Sequence, residues 1–214
     1  EALFQAAKDA QDSGTVNVVG VFTHLSGTSA HADADQGVVY DEALSVLGSV
    51  GLEPEIRHVT SSIGTSDSPS LAYDMVRVGA AAYGVAAMRV SGQLILVKRV
   101  HEGLGVGYGH TYRTTSETTL ALVPLGYADG IPRHASNAGP VSIAGERFSV
   151  SGRISMDQFT VDVGDASVRE GQWAVLWGDP AEGEPSANEW AEAAGTIAYE
   201  IVTRLGDRIP RVVA

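Results

Sequence analysis

Hydrophobic periodicity changes character partway along these 214 residues, and that change bounds what the chain can fold into. In the first part, helical and extended patterns alternate. Leu3, Ala6, Ala7 and Ala10 recur at helical spacing, with Gly14 as the expected stop. Residues 16–22 form a β-branched run broken by Asn17 and Gly20, which suits a strand buried on both faces. Residues 23–35 are polar and predicted to be loop. Val39, Ala43, Leu47 and Val50 mark one face of a second helix. Residues 55–59 read as a short strand, 60–70 as a loop, and 75–83 as a buried strand with Arg77 set inside it. Such alternation builds βαβ units with a parallel sheet, whose ligands sit at the carboxyl ends of the strands. Here those ends are Thr23-His24, Thr60-Ser61-Ser62 and Gly79-Ala80.

From about Gln93 the pattern becomes short strands separated by Gly-rich turns. Expected strands cover 94–100, 118–123, 148–154, 159–163 and 173–177, and Ala144-Gly145 is a candidate hairpin turn. One helix is well marked: Ser186 and Glu189 form a capping-box pattern, Ala191 and Ala194 continue it, and Gly195 stops it. The predicted fold class is α/β plus β, with residues 1–87 as the α/β part. Residues 88–214 are expected to form a mainly antiparallel β domain with one short helix.

Composition removes several classes of function. The 14 Lys+Arg against 26 Asp+Glu leave a formal charge of −12, which argues against nucleic acid and anionic membranes as partners. With no Cys, disulfides, thiol catalysis and Cys-ligated zinc are excluded. Apolar runs fall well short of the roughly 20 residues of a membrane span, and no leader pattern opens the chain, so the expected location is cytoplasmic. Glu1 opens directly on helix-like sequence with no cap before it.

Common motifs are missing: there is no G-x-x-x-x-G-K and no G-x-S-x-G. His31, Asp33 and Asp35 alternate as hard-metal ligands would, but a solvated acidic loop is the preferred reading and no metal site is predicted. Histidines 101, 110 and 134 read as surface or structural residues. Arg77 is more informative, because a guanidinium in an apolar strand needs an acceptor. Two readings are open: a ligand acceptor, or an acid from elsewhere in the fold. Ser61, Ser62 and the amide near Gly79 would suit an anion, and equally a plain polar loop. Tyr108, between Gly107 and Gly109, is by itself more often a packing residue than a catalytic one.

Taken in order, these segments resemble alanine racemase, a fold-type III pyridoxal-phosphate (PLP) enzyme family. Val21-Phe22-Thr23-His24-Leu25 is similar to the family's strand ending in Thr-His. Arg57-His58 through Ser61-Ser62 resembles its phosphate segment, with Ser61 where Asn is usual. Asp74-Met75-Val76-Arg77-Val78-Gly79 with Tyr83-Gly84, and Gly107-Tyr108-Gly109 with Thr111-Tyr112, match further family segments. GYADG (126–130) with Pro132-Arg133, GRISMDQ (152–158), GTIAYE (195–200) and Arg208-Ile209-Pro210-Arg211 complete the series.

The resemblance implies roles residue by residue. Tyr108 resembles the catalytic tyrosine that exchanges the α-proton on the L-alanine face, acting in the partner subunit's active site. His24 resembles the residue packed on the pyridine ring, and Arg77 the donor to its nitrogen. Ser62, Tyr199 and the amides of Gly79 and Ala80 resemble the phosphate site. Met156 matches the position whose amide helps hold the substrate carboxylate, and Tyr127 and Arg153 resemble entrance-corridor residues. An arginine hydrogen-bonds a pyridine nitrogen without protonating it, which weakens the electron sink and favours two bases on opposite faces of Cα. A tyrosine, ordinarily titrating near ~10, needs cationic neighbours or hydrogen bonds to act as one of them near neutrality.

The family's other base, the Schiff-base lysine in an N-terminal motif, has no counterpart here; the two lysines are Lys8 and Lys98, in other contexts. Ser155 replaces the Cys often found before Met156. The family's barrel has eight strands in roughly 250 residues, and residues 1–87 supply about three. The resemblance therefore implies the last βα units of a (β/α)8 barrel, completed by an N-terminal part outside this sequence, then a β domain carrying the tyrosine. It further implies a homodimer with shared active sites, an amino-acid substrate, and a role in D-alanine supply for peptidoglycan. The alternatives are a broader-specificity racemase on the same scaffold and a truncated chain that only binds a partner.

Overall fold

Parallel pairing in the first part of the chain is the first point on which sequence and structure can be compared. The computed structural model describes residues 1–79 and 87–213 and divides into two units, Glu1–Tyr83 and Gly84–Ala214. In the first, helix α1 (Ala2–Asp12) precedes strand β1 (Gly20–Phe22), helix α2 (Ala30–Ser49), strand β2 (Ile56–His58) and the short helix α3 (Ser62–Asp67). Strands β1 and β2 pair in parallel, Gly20 with Ile56, Val21 with Arg57 and Phe22 with His58, so β1-α2-β2 is a βαβ unit. Its small core is Leu25, Tyr40 and Val59, with Val21, Leu44, Leu71 and Tyr73 packed against it. Tyr40 ties helix to sheet, its hydroxyl donating to the Val21 carbonyl at 2.7 Å.

Four expectations for this unit are corrected. The strand at 16–22 shrinks to β1 and is not buried on both faces: Val16, Val19 and Phe22 are exposed, and β1 pairs only with β2 among the described residues. The loop at 23–35 ends early, because Ser29 caps α2 by accepting from the Ala32 N–H at 3.1 Å, and Asp33 sits favourably in the first turn. The buried face of α2 is rotated from the one predicted. It presents Gly37, Tyr40 and Leu47, with Leu71 against Gly37, and leaves Val39 in solvent. Of the strand expected at 75–83, the described part, 75–79, makes an isolated parallel bridge of Arg77 with Ser61; residues 80–83 lie outside the described residues. Backbone bonds from Asp74 N–H to the Arg57 carbonyl and from Arg77 N–H to the Thr60 carbonyl, both 3.0 Å, still align this segment beside β2.

The second unit is antiparallel. Its strands are β3 (Val90–Gln93), β4 (Leu96–Val100), β5 (Gly105–Val106), β6 (Tyr112–Arg113), β7 (Thr118–Val123), β8 (Pro140–Ile143), β9 (Glu146–Ser149), β10 (Phe159–Gly164) and β11 (Trp173–Trp177). One sheet has the order β10-β7-β4, another β3-β11-β8-β9, and β5 pairs with β6. Alternating burial along β10, with Ala121 and Val123 of β7, feeds a core that includes Phe159, Ile143, Ile154, Trp177 and Trp190. Ala144 and Gly145 turn the β8-β9 hairpin with φ of 52° and 85°, as a two-residue primed turn requires.

The strand expected at 94–100 is present as β4, starting at Leu96; β3, just before it, was not expected and joins the other sheet. That expected at 148–154 stops at Ser149, because Val150 then bridges to Val161 in the other sheet. Helix α4 (Ala187–Ala194) carries the predicted capping box, Ser186 Oγ accepting from Glu189 N–H at 3.1 Å and Glu189 accepting from Ser186 N–H at 2.7 Å. A second helix, α5 (Ala198–Thr203), follows; Ile197 at its N-cap has no capping side chain, so no capping signal marks its start.

Candidate active site

The carboxyl ends of the parallel segments converge on one cation. Arg77 Nη2 donates to the carbonyls of Thr23 (3.1 Å) and Val59 (3.2 Å) and to His24 Nδ1 (3.0 Å), while Nη1 donates to His58 Nδ1 at 2.5 Å. Arginine has only donors, so both imidazoles accept through Nδ1 and carry their proton on Nε2. Burial first, and the adjacent Arg77 charge second, hold the His58 pKa below the ordinary histidine value. Phe22 stacks flat on His58 (centroids 5.1 Å apart, planes 3° apart), and the Arg77 guanidinium lies 5.6 Å from the Phe22 ring centroid. Asp74 does not serve Arg77. It pairs with Arg57, accepting from Nε at 2.7 Å, from Nη2 at 3.0 Å and from the Arg57 N–H at 2.9 Å. Among the described residues, then, the acceptors around Arg77 are all neutral, and the reading that a fold acid neutralises it finds no carboxylate there.

Beside this cluster, Ser62 opens α3 and its Oγ accepts from the Gly79 N–H at 2.9 Å. The structure thus brings together four of the predicted residues, His24 with Arg77 and Ser62 with Gly79. Ala80 lies outside the described residues, and Tyr199 belongs to α5 of the second unit. Asp33 is not part of a solvated acidic loop. It is 2% exposed and accepts from Gly27 N–H (3.2 Å) and Ser68 Oγ (3.4 Å), pinning the loop that follows His24. No group of three or more metal-ligating side chains occurs among the described residues.

In the second unit, Tyr108 stands on a single 3₁₀ turn (Tyr108–His110) with Gly107 at φ 67° and Gly109 at φ 72° on either side. This left-handed backbone favours glycine and lifts the ring into solvent, 72% exposed. Tyr108 lines an open depression of about 690 Å³ with Gly107, Tyr127, Ser155, Met156, Asp157 and Gln158. Arg153 packs beneath the same turn, its guanidinium carbon 3.4 Å from where a Cβ on Gly109 would lie.

Two backbone bonds hold the rim of the depression: Tyr127 N–H to the Ser155 carbonyl (3.0 Å) and Ala128 N–H to the Met156 carbonyl (2.9 Å). The Met156 N–H has no acceptor among the described residues, and Met156 is 53% exposed. Tyr108, Tyr127, Met156 and Arg153, predicted from scattered motifs, therefore share one surface. Sequence reading missed the roles of Phe22 and His58 around Arg77, and of Asp157 on this rim. His58 stood in the predicted strand 55–59 and in the Arg57-His58 segment of the resemblance with no role of its own; its partner Arg77 is 19 residues away.

Residues 1–87 match the family described as "Alanine racemase, N-terminal domain" and residues 87–213 "Alanine racemase, C-terminal domain". The alanine racemase of Salinispora arenicola (strain CNS-205) is 47% identical, the match covering 98% of this chain and 60% of that protein. The solved alanine racemase from Streptomyces coelicolor A3(2) superposes with a TM-score of 0.94 at 45% identity, covering 99% of this chain and 60% of that one. That from Bartonella henselae, solved with covalently bound pyridoxal phosphate, gives 0.84 at 27% identity, covering 98% and 60%. This chain thus spans about 60% of the length of the relatives it matches. Among the described residues, no helix is long and apolar enough to cross a membrane. With both family regions matched in order, and with a βα part ending at Arg77 and a β part presenting Tyr108, the chain belongs to the alanine racemase family.

Proposed function

We propose that this chain supplies the tyrosine half and part of the cofactor site of a pyridoxal-phosphate-dependent enzyme that interconverts L- and D-alanine. The observation that carries the reading is the setting of Arg77. Its charge is held by two carbonyls and two neutral imidazoles, with no carboxylate among its described acceptors. A cation so placed fits an electron-pair acceptor such as a pyridine nitrogen, to which it donates a hydrogen bond without surrendering a proton. By the resemblance, Ser62, Tyr199 and the amides of Gly79 and Ala80 would hold the cofactor phosphate; of these, Ser62 and Gly79 are already side by side, the Gly79 N–H donating to Ser62 Oγ at 2.9 Å. His24 would pack on the ring. The chemistry the cofactor supplies when bound is electron withdrawal from the substrate Cα.

Because Arg77 keeps its proton, that withdrawal is modest, and proton transfer rests on two positioned bases, one on each face of Cα. Tyr108 Oη is the base on the L-alanine face, acting in the active site of a second subunit, so the working enzyme is a homodimer. Arg153 is the nearby cation, and the Met156 N–H holds the substrate carboxylate, with Tyr127 at the entrance. The other base is a lysine from polypeptide outside these residues, since Lys8 pairs with Asp12 on α1 and Lys98 lies on β4. The completed enzyme is a cytoplasmic isomerase supplying D-alanine for peptidoglycan.

The test is D-alanine formation from L-alanine by the gene product that carries this sequence, loaded with pyridoxal phosphate. Racemisation of alanine in preference to serine and other small amino acids is expected. Cofactor binding with no racemisation would overturn the reading.

A further inference from the structure

The motif Arg208-Ile209-Pro210-Arg211 has no task in the mechanism above, yet its first residue reaches two turns of the candidate site. Arg208 Nε donates to Asp129 Oδ1 at 3.0 Å, and Nη2 donates to Asp157 Oδ1 at 2.8 Å. Asp129 is 5% exposed, and its other oxygen accepts from the Gly126 N–H at 2.8 Å. A carboxylate so buried is costly unless it is paired and its lone pairs are filled, and the planar fork of arginine does both. The Gly206 N–H donates to the Asp129 carbonyl at 3.0 Å, so the segment carrying Arg208 is docked on the same turn. One guanidinium thus cross-links the GYADG turn to the turn at 155–158, the two strips that hold Tyr127 and Met156 on the rim of the depression.

We propose that Arg208 is a positioning residue: it fixes the Met156 N–H and the Tyr127 ring relative to each other for the substrate carboxylate, without touching substrate. The proposal rests on the racemase reading, and its test separates the two. Arg208→Lys keeps the charge but loses the fork, so a single nitrogen replaces the two fixed donors, Nε and Nη2, that reach Asp129 and Asp157. Arg208→Gln removes the charge.

In the cofactor-loaded gene product, KM for L-alanine should rise about tenfold in Arg208→Lys and further in Arg208→Gln, with kcat within about twofold, the size of effect that loss of one charge-assisted bond gives. Amide hydrogen exchange at 126–130 and 155–158 should quicken in both variants. Asp157→Asn leaves the buried pair intact and should shift KM and exchange in the same direction by less. That variant decides the question if both Arg208 variants fail to fold. Unchanged KM, unchanged exchange at these two turns, or a fall in kcat at constant KM would overturn the proposal. Should the wild-type protein fail to racemise alanine, the racemase reading falls, while the exchange data still judge the cross-link.

Discussion

Gly126→Ala should pull apart the two strips that carry the rim of the site. A Cβ at this position would lie 2.3 Å from the carbonyl oxygens of both Ser155 and Met156. Carbon–oxygen contacts begin at about 3.3 Å, so the strips must separate by about 1 Å. The backbone at Gly126 is extended (φ −146°, ψ −165°), so alanine adopts it freely and the whole cost is steric. A shift of that size breaks the Tyr127–Ser155 and Ala128–Met156 backbone bonds, now 3.0 and 2.9 Å. Two hydrogen bonds at about 1 kcal/mol each, with about 1–3 kcal/mol of overpacking, give roughly 3–5 kcal/mol.

Gly145→Ala is the control. It has φ +85° and nothing within 4 Å of a Cβ, so only the left-handed backbone opposes the change, at about 1–2 kcal/mol. Trp173, Trp177 and Trp190 all lie in the second unit, so urea unfolding followed by tryptophan fluorescence reads that unit alone. A loss below about 1 kcal/mol for Gly126→Ala, or one no larger than that for Gly145→Ala, would refute the steric argument.

Two further predictions concern titration. His58 is held below the ordinary histidine value, so the unfolded chain takes up its proton first. The stability this arrangement contributes is present above about pH 6.5 and is lost as pH falls through the folded value. Ring-proton NMR should place the His58 midpoint below 6.5; a midpoint above it would contradict the neutral acceptor role toward Arg77. Burial, then hydrogen bonds to Asp41 and Asp162, push Tyr73 and Tyr112 up to about 12. Their contribution is therefore complete below about pH 10 and lost as pH rises through 12. Tyr73→Phe and Tyr112→Phe should each remove a phenolate absorbance step that appears only near pH 12; loss of a step near 10 instead would show those hydroxyls to be free.

Local signals carried the sequence reading where the chemistry was local. The Ser186–Glu189 capping box, the Ala144-Gly145 turn and the strands Thr118–Val123 and Trp173–Trp177 appear where the apolar runs and turn chemistry put them. The reading failed where tertiary partners decide. Residues 16–19 have the β-branched composition of a strand, but a parallel strand exists only where neighbours complete its hydrogen bonds, and β2 reaches back no further than the Val19 carbonyl. The face of α2 was misjudged because Tyr40 reaches the Val21 carbonyl, a contact that no periodicity encodes.

The site shows the same division. Tyr108, Arg77 and Met156 were legible because unusual residues sat in recognisable motifs. His58, Asp129 and Asp157 sit in the same quoted motifs, but their roles were not legible, because they depend on Arg77 and Arg208, which are 19, 79 and 51 residues away respectively. Asp33 was taken for a solvated residue because an acid in a polar stretch looks the same whether it caps a loop or faces water.

The proposed role of Tyr108 as a base is tested most directly by α-deuterium incorporation into L-alanine in deuterium oxide, comparing wild type with Tyr108→Phe in the cofactor-loaded gene product. Removing a general base predicts a loss of about 10²–10⁴-fold in exchange from L-alanine, with pyridoxal-phosphate absorbance retained. Exchange at the wild-type rate in a cofactor-loaded Tyr108→Phe protein would contradict it.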